Sequence, residues 1–141
     1  MNGISLFTAS VIIWAFACDL SADTPQIRVT IKVFDETGDN AQIVSALSRE
    51  FRKLDGVSVT DKQPALTIVC DVVPSELVTP SQKISVGYAA AVAVLNANDQ
   101  LVAIMAQTHG TIDGLAHEIA IKIDGTTIEP MRRKAQPTNS P

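Results

Sequence analysis

The sequence predicts an α+β domain: a strand, helix, strand unit, then a three-strand antiparallel meander and a closing helix, with two helices packed on one mixed sheet. Three observations carry that expectation. Gln26 to Phe34 alternates strictly, with Ile27, Val29, Ile31 and Val33 against Arg28, Thr30 and Lys32, the period of a half-buried strand. Two segments repeat apolar residues at helical spacing, Ile43, Leu47, Phe51 and Leu54 in one, and Ile112, Leu115, Ala116, Ile119 and Ile123 in the other. Between them lie β-rich runs bounded by turn chemistry.

Each element follows in order. Asp35-Glu36-Thr37-Gly38 is a turn, and Asp39 with Gln42 three residues later resembles a capping box that opens the first helix. That helix carries Arg49, Glu50, Arg52 and Lys53 on its outer face and stops at Asp55-Gly56. Val57 to Thr60 is a short strand, joined to the first by a parallel crossover. Ala65 to Val73 is a longer strand with Leu66, Ile68, Cys70 and Val72 on one face. Pro74 to Gln82, with Pro80 inside, reads as a loop. Ile84 to Leu95 is extended, and Asn96-Ala97-Asn98-Asp99 connects it as a hairpin to Leu101 to Thr108. Thr111 caps the second helix, Glu118 pairs with Lys122 at i, i+4, and Gly125 ends it.

The start of the chain reads as a leader. Ile4 to Ala17 is apolar apart from Ser5, Thr8 and Ser10, short of the about 20 residues that a spanning helix needs. Ala15-Phe16-Ala17 puts small residues where a signal peptidase needs them, and Ala22 offers a second site. The expected organisation is a signal peptide over 1–22, cut after Ala17 or Ala22, a single domain over 23–129 and a disordered tail over 130–141. The protein is then exported, periplasmic or membrane-associated. A cut after Ala17 leaves Cys18 first, as in a bacterial lipoprotein, although Phe16 is bulky for that signal and no Leu precedes it. An uncleaved N-terminal anchor is the alternative. A Cys18–Cys70 bridge requires that both cysteines survive processing.

Composition excludes some functions. Eleven Lys and Arg against fifteen Asp and Glu give net −4, so no field draws a phosphate backbone and no nucleic-acid partner is expected. An aromatic share of 4% leaves few platforms for stacking bases.

Chemistry-bearing patterns are sparse. His109, Asp113 and His117 lie four apart, so a continuous helix would align three metal-ligand types. Gly110 and Thr111 mark the helix start, however, and leave His109 outside it. Asp71 interrupts an apolar strand and is expected to be exposed near the strand end. Cys70 is mid-strand, where a thiol is inert. There is no Gly-x-Ser-x-Gly stretch and no glycine-rich phosphate loop. No catalytic residue, metal or cofactor is assigned. Arg132-Arg133-Lys134 is a short basic cluster read as solvated.

One strand points outward. "GYAAAVAVL" is apolar on both faces, with Gly87, Ala89, Ala91 and Ala93 on one of them. Two helices cover one side of a five-stranded sheet, so the small-residue face is a candidate contact surface for another envelope protein or a second copy. Close approach of a helix is the alternative use of those small residues.

The element order, together with "LNANDQLVAIMAQTHGTIDGLAHEIAIKIDGTTIEP", resembles the N-terminal domain of the TolB family and the related envelope domains of curli-secretion and penicillin-binding-protein-activator lipoproteins. The resemblance implies a noncatalytic docking or assembly role. It carries over no binding residue. The expectation is therefore a noncatalytic exported binding or assembly module, with the small-residue strand face or a sheet edge as contact surface, and two alternatives: a small metal-dependent or acid–base enzyme using His109, Asp113 and His117, or a membrane-anchored subunit with an uncleaved N-terminal helix.

Overall fold

The structure is a computed structural model and describes residues 26–36 and 38–135. The expected signal segment, Cys18 and the last six residues lie outside the described residues.

The elements are β1 (Ile27–Asp35), α1 (Asn40–Arg52), β2 (Val57–Val59), β3 (Leu66–Val78), β4 (Lys83–Asn96), β5 (Leu101–His109) and α2 (Ile112–Ile123). A π-helical turn (Asp124–Ile128) leads into α3 (Glu129–Ala135). The sheet order is β2-β1-β3-β4-β5. β1 runs parallel to β2 and β3, while β3, β4 and β5 form an antiparallel meander. The expected α+β class and meander are thus observed.

One apolar layer holds the fold together. Val29 from β1, Leu66, Ile68, Cys70 and Val72 from β3, and Ala90, Val92 and Val94 from β4 are buried against Ile43, Leu47 and Phe51 of α1 and Leu115, Ile119 and Ile123 of α2. These are alternate residues of each strand, as the pleat requires for a sheet covered on one side. α1 lies over β1 and β2, α2 lies over β4 and β5, and the helices touch each other.

The helix starts differ. Thr111 is extended, and its hydroxyl oxygen accepts from the Gly114 N–H at 3.1 Å, as expected of a cap. Asp39 makes no side-chain cap bond, contrary to the capping-box expectation. α1 begins instead on the Asp39 carbonyl, which accepts from the N–H groups of Gln42 and Ile43 at 2.9 and 3.0 Å. Gly56, at φ +67°, makes the predicted stop after α1.

Two other expectations are corrected. Of Pro74–Gln82, expected as a loop, Pro74–Val78 is strand, because β3 continues to Val78, and only residues 79–82, with Pro80, form the turn before β4 starts at Lys83. Pro74 is tolerated since it lies past Val72, the last β3 residue paired with β1, where β3 has become an edge. Past the Pro74–Tyr88 pair, where β5 also ends, β3 and β4 run on as a two-stranded arm with a register shift at Ser75/Glu76. The chain also stays helical past Gly125 and through residue 135, where a stop and then a tail from residue 130 were expected. Ile128 and Thr127 are buried, which holds the turn against the core. Arg132 bridges Asp124 and Glu129 at 2.8 and 3.2 Å, and Arg133 pairs with Glu129 at 3.1 Å. Those arginine bonds, Arg133 first, hold the Glu129 carboxyl below its usual range.

Candidate functional site

With the helices on one side, the other side of the sheet lies open. The register lays out its rows: Thr30, Thr67, Leu95 and Leu101 in one, then Lys32, Val69, Ala93 and Ile104, then Phe34, Asp71, Ala91 and Ala106. Val73, Ala89 and Thr108 continue the pattern. Phe34, Val73, Ala91, Leu101 and Ile104 are exposed, Val69, Ala89 and Ala93 are half-buried, and Thr30 and Thr67, at the end of the face beside Thr60, are buried. A shallow depression of about 170 Å³ is lined by Val69, Asp71, Ala91, Val92, Ala93 and Ile104. Small side chains along β4 make its floor, and Ile104, 74% exposed, makes its wall. An apolar surface of this kind, with Asp71 at its rim, is suited to protein contact.

The four small residues expected on that face divide into two groups. Ala89, Ala91 and Ala93 lie on it. Gly87 is buried, at φ +144°, and a Cβ there would collide with the backbone of His109 and Gly110. Its place is therefore the crossing of β4 beneath the β5–α2 turn, not the contact surface. Asp71 is exposed as expected, but it is mid-strand, because β3 runs on to Val78.

His109, Asp113 and His117 are not brought together. The Nδ1 of His109 accepts from the Thr111 N–H at 3.1 Å, which leaves the proton of the neutral ring on Nε2. Its ring lies against Gly114, where any Cβ would meet it. Asp113 accepts from Arg49 of α1 at 2.7 Å, and His117 bonds Glu50 at 3.1 Å. Among the described residues, no three His, Cys, Asp or Glu side chains are placed to hold a metal.

The seam between α1 and α2 is instead an ion-pair network centred on Glu50, which is only 6% exposed. Its Oε1 meets Lys53 at 2.6 Å and Arg49 at 3.6 Å, and its Oε2 meets His117. The bonds from Lys53 and then His117 pull the Glu50 pKa below 4.5 and outweigh its desolvation. Sequence reading put Glu50 on the outer face and missed this site. The available signal was position, since Glu50 directly precedes Phe51 and follows Leu47 by three, on the flank of the buried stripe.

A lowered folded-state pKa means stability that is present above the unfolded carboxylate value and lost as pH falls through the folded value. Glu50→Gln is therefore expected to cost about 1 kcal/mol at pH 7. The gap between the two proteins should close in acid below pH 4.5. Urea midpoints at pH 7 and pH 3 measure it, and a gap independent of pH contradicts the network. Cys70 is buried and unbridged, and burial pushes its thiol up to about 12, so it behaves as a core side chain.

No family model and no curated protein matches the chain. Among solved structures, the chain is similar to the hypothetical protein CT253 from Chlamydia trachomatis at a TM-score of 0.51 and 10% identity, covering 72% of this chain and 97% of that one. A PelC dodecamer from Paraburkholderia phytofirmans matches at 0.45 and 14%, covering 72% and 85%. The uncharacterized lipoprotein B from Nitrosomonas europaea matches at 0.41 and 17%, covering 79% and 77%. No helix among the described residues is long and apolar enough to cross a membrane. The likeness to the chlamydial protein is one of fold: helices on one face of a mixed sheet.

Proposed function

We propose that the chain is a noncatalytic, exported assembly module that binds another envelope protein or a second copy, without a cofactor. The observation that carries this reading is the uncovered apolar face built on Ala89, Ala91 and Ala93 beside Val69 and Ile104. The leader-like start supports export, and the resemblance to TolB-type and lipoprotein envelope domains supports docking rather than turnover.

The test is Ala91→Glu. Ala91 is exposed, so the variant should fold with an unchanged urea midpoint. A carboxylate buried unpaired at a contact costs several kcal/mol, so binding to the partner identified by cross-linking in its own cells should fall by more than about 100-fold. Undiminished binding removes the face from the reading, and an unfolded variant shows that the face is core.

A further inference from the structure

Sheets end in edges, and the two edges here are unlike. β2 is three residues long, and so short an edge offers little to pair with. β5 is nine residues, "LVAIMAQTH", with no Lys, Arg, Asp, Glu or Pro among them. Charges, prolines, bulges and brevity are the devices that stop strand addition. β5 has only one of them, a register irregularity opposite Val94/Leu95 at its start. In an antiparallel ladder alternate residues turn their N–H and C=O groups outward, so this edge presents a row of them.

We propose that β5 is a self-association edge: two copies pair β5 antiparallel about a twofold axis at Met105, making one continuous ten-stranded sheet from two five-stranded ones. This rests on the reading of the chain as an assembly module and names its partner as a second copy of itself.

Three features select that occupant over a foreign strand. The first is steric. With Met105 opposite its own copy, Ile104 faces the other copy's Ala106 and meets the other Ile104 diagonally, within reach of long side chains. Ile104, the most exposed large apolar residue among the described ones, is thereby placed over the small Ala106 of the neighbouring copy. The second is that no two charges meet within the strand seam itself, since the only titratable residue of β5, His109, falls opposite Leu101.

The third is charge complementarity on the helix layer. Asp113 and His117 face α1 through Arg49 and Glu50. By the 3.6-residue period Glu118 and Lys122 lie on the opposite flank of α2. α2 covers β4 and β5, so that flank looks over the β5 edge. Both residues are exposed, and no ion pair engages them among the described residues, so the i, i+4 pair expected between them is not made. A twofold sets the two α2 helices antiparallel, so the acid of each faces the base of the other.

A seam of nine strand residues is about 30 Å long. With one helix layer above it, the seam buries on the order of 600 Å² a side, the low end for a specific interface, so a micromolar dimer is expected.

The experiment uses the full chain, processed as its own cells process it, in sedimentation velocity from about 1 to 200 μM with hydrogen exchange at both ends of the range. A monomer–dimer equilibrium is expected, with added protection of the Leu101–His109 amides in the dimer alone. Ile104→Lys places two ammonium groups diagonally across the seam and should raise the dissociation constant at least about tenfold. If that variant folds poorly, Ala106→Lys and the exchange pattern of the unaltered chain still decide the matter. A monomer at every concentration overturns the proposal, and so does a dimer that protects other segments or ignores the lysine. Either result leaves the open-face reading to Ala91→Glu, which lies off the seam.

Discussion

Phe51→Ala is expected to remove about 3–5 kcal/mol of stability, a large share of the roughly 5–15 kcal/mol that a domain possesses. Phe51 is completely buried and is the largest side chain in the core. It comes from α1, whose other anchors Ile43, Ala46 and Leu47 sit on the same stripe. Removing the ring strips apolar contact from β1 and β2 as well as from the helix, because α1 alone covers that end of the sheet. The surrounding strands are hydrogen-bonded into ladders and cannot collapse into the space, so the cavity term adds to the lost transfer energy. Chemical denaturation measures the effect, and a loss under about 1 kcal/mol would mean that the α1 layer is not the core described.

Gly87→Ala adds one methyl group and should cost about 3 kcal/mol. Two effects act together. The backbone at φ +144° is a conformation that side-chain-bearing residues rarely adopt, and the added Cβ would strike the backbone of His109 and Gly110, not a side chain that could swing away. An ordinary surface position tolerates such a change to within about 0.5 kcal/mol. The same denaturation experiment on Gly87→Ala and on Ala91→Ser separates the two: the first should be crippled and the second indifferent. Equal, small losses would return Gly87 to the open surface with its alanine neighbours.

That contrast shows what the sequence made legible. Strands with one buried face were readable, because alternation in β1 and in the first half of β3 reports the core side directly. The open face was readable too, since Ala89, Ala91 and Ala93 alternate with Ala90, Val92 and Val94. Gly87 continues the alternation in sequence but not in space, because a bulge and the crossing beneath His109 are properties of the pairing. Pro74 and Pro80 argued for a loop: Pro80 does lie in the turn between β3 and β4, whereas β4 overrode Pro74 by supplying a partner strand. Gly125 argued for a stop, and burial of Ile128 overrode it. Glu50 and His117 are 67 residues apart, and their bond depends on how two helices settle side by side, which no local pattern encodes.

The place of β1 has a kinetic consequence. β3 and β4 are joined by a short turn, with Val78 opposite Lys83, so their ladder can grow from that turn with each new contact closing only a small loop. β1 instead sits in the middle of the sheet, with Val29 against Leu66 on one side and Val59 on the other. Both ladders close loops of 30 residues or more by that register, and neither helps until the intervening helix has formed. β1, the first strand among the described residues, is thus the last whose hydrogen bonds can all be satisfied, and until it inserts, the flanks of β2 and β3 stand open to any other extended chain.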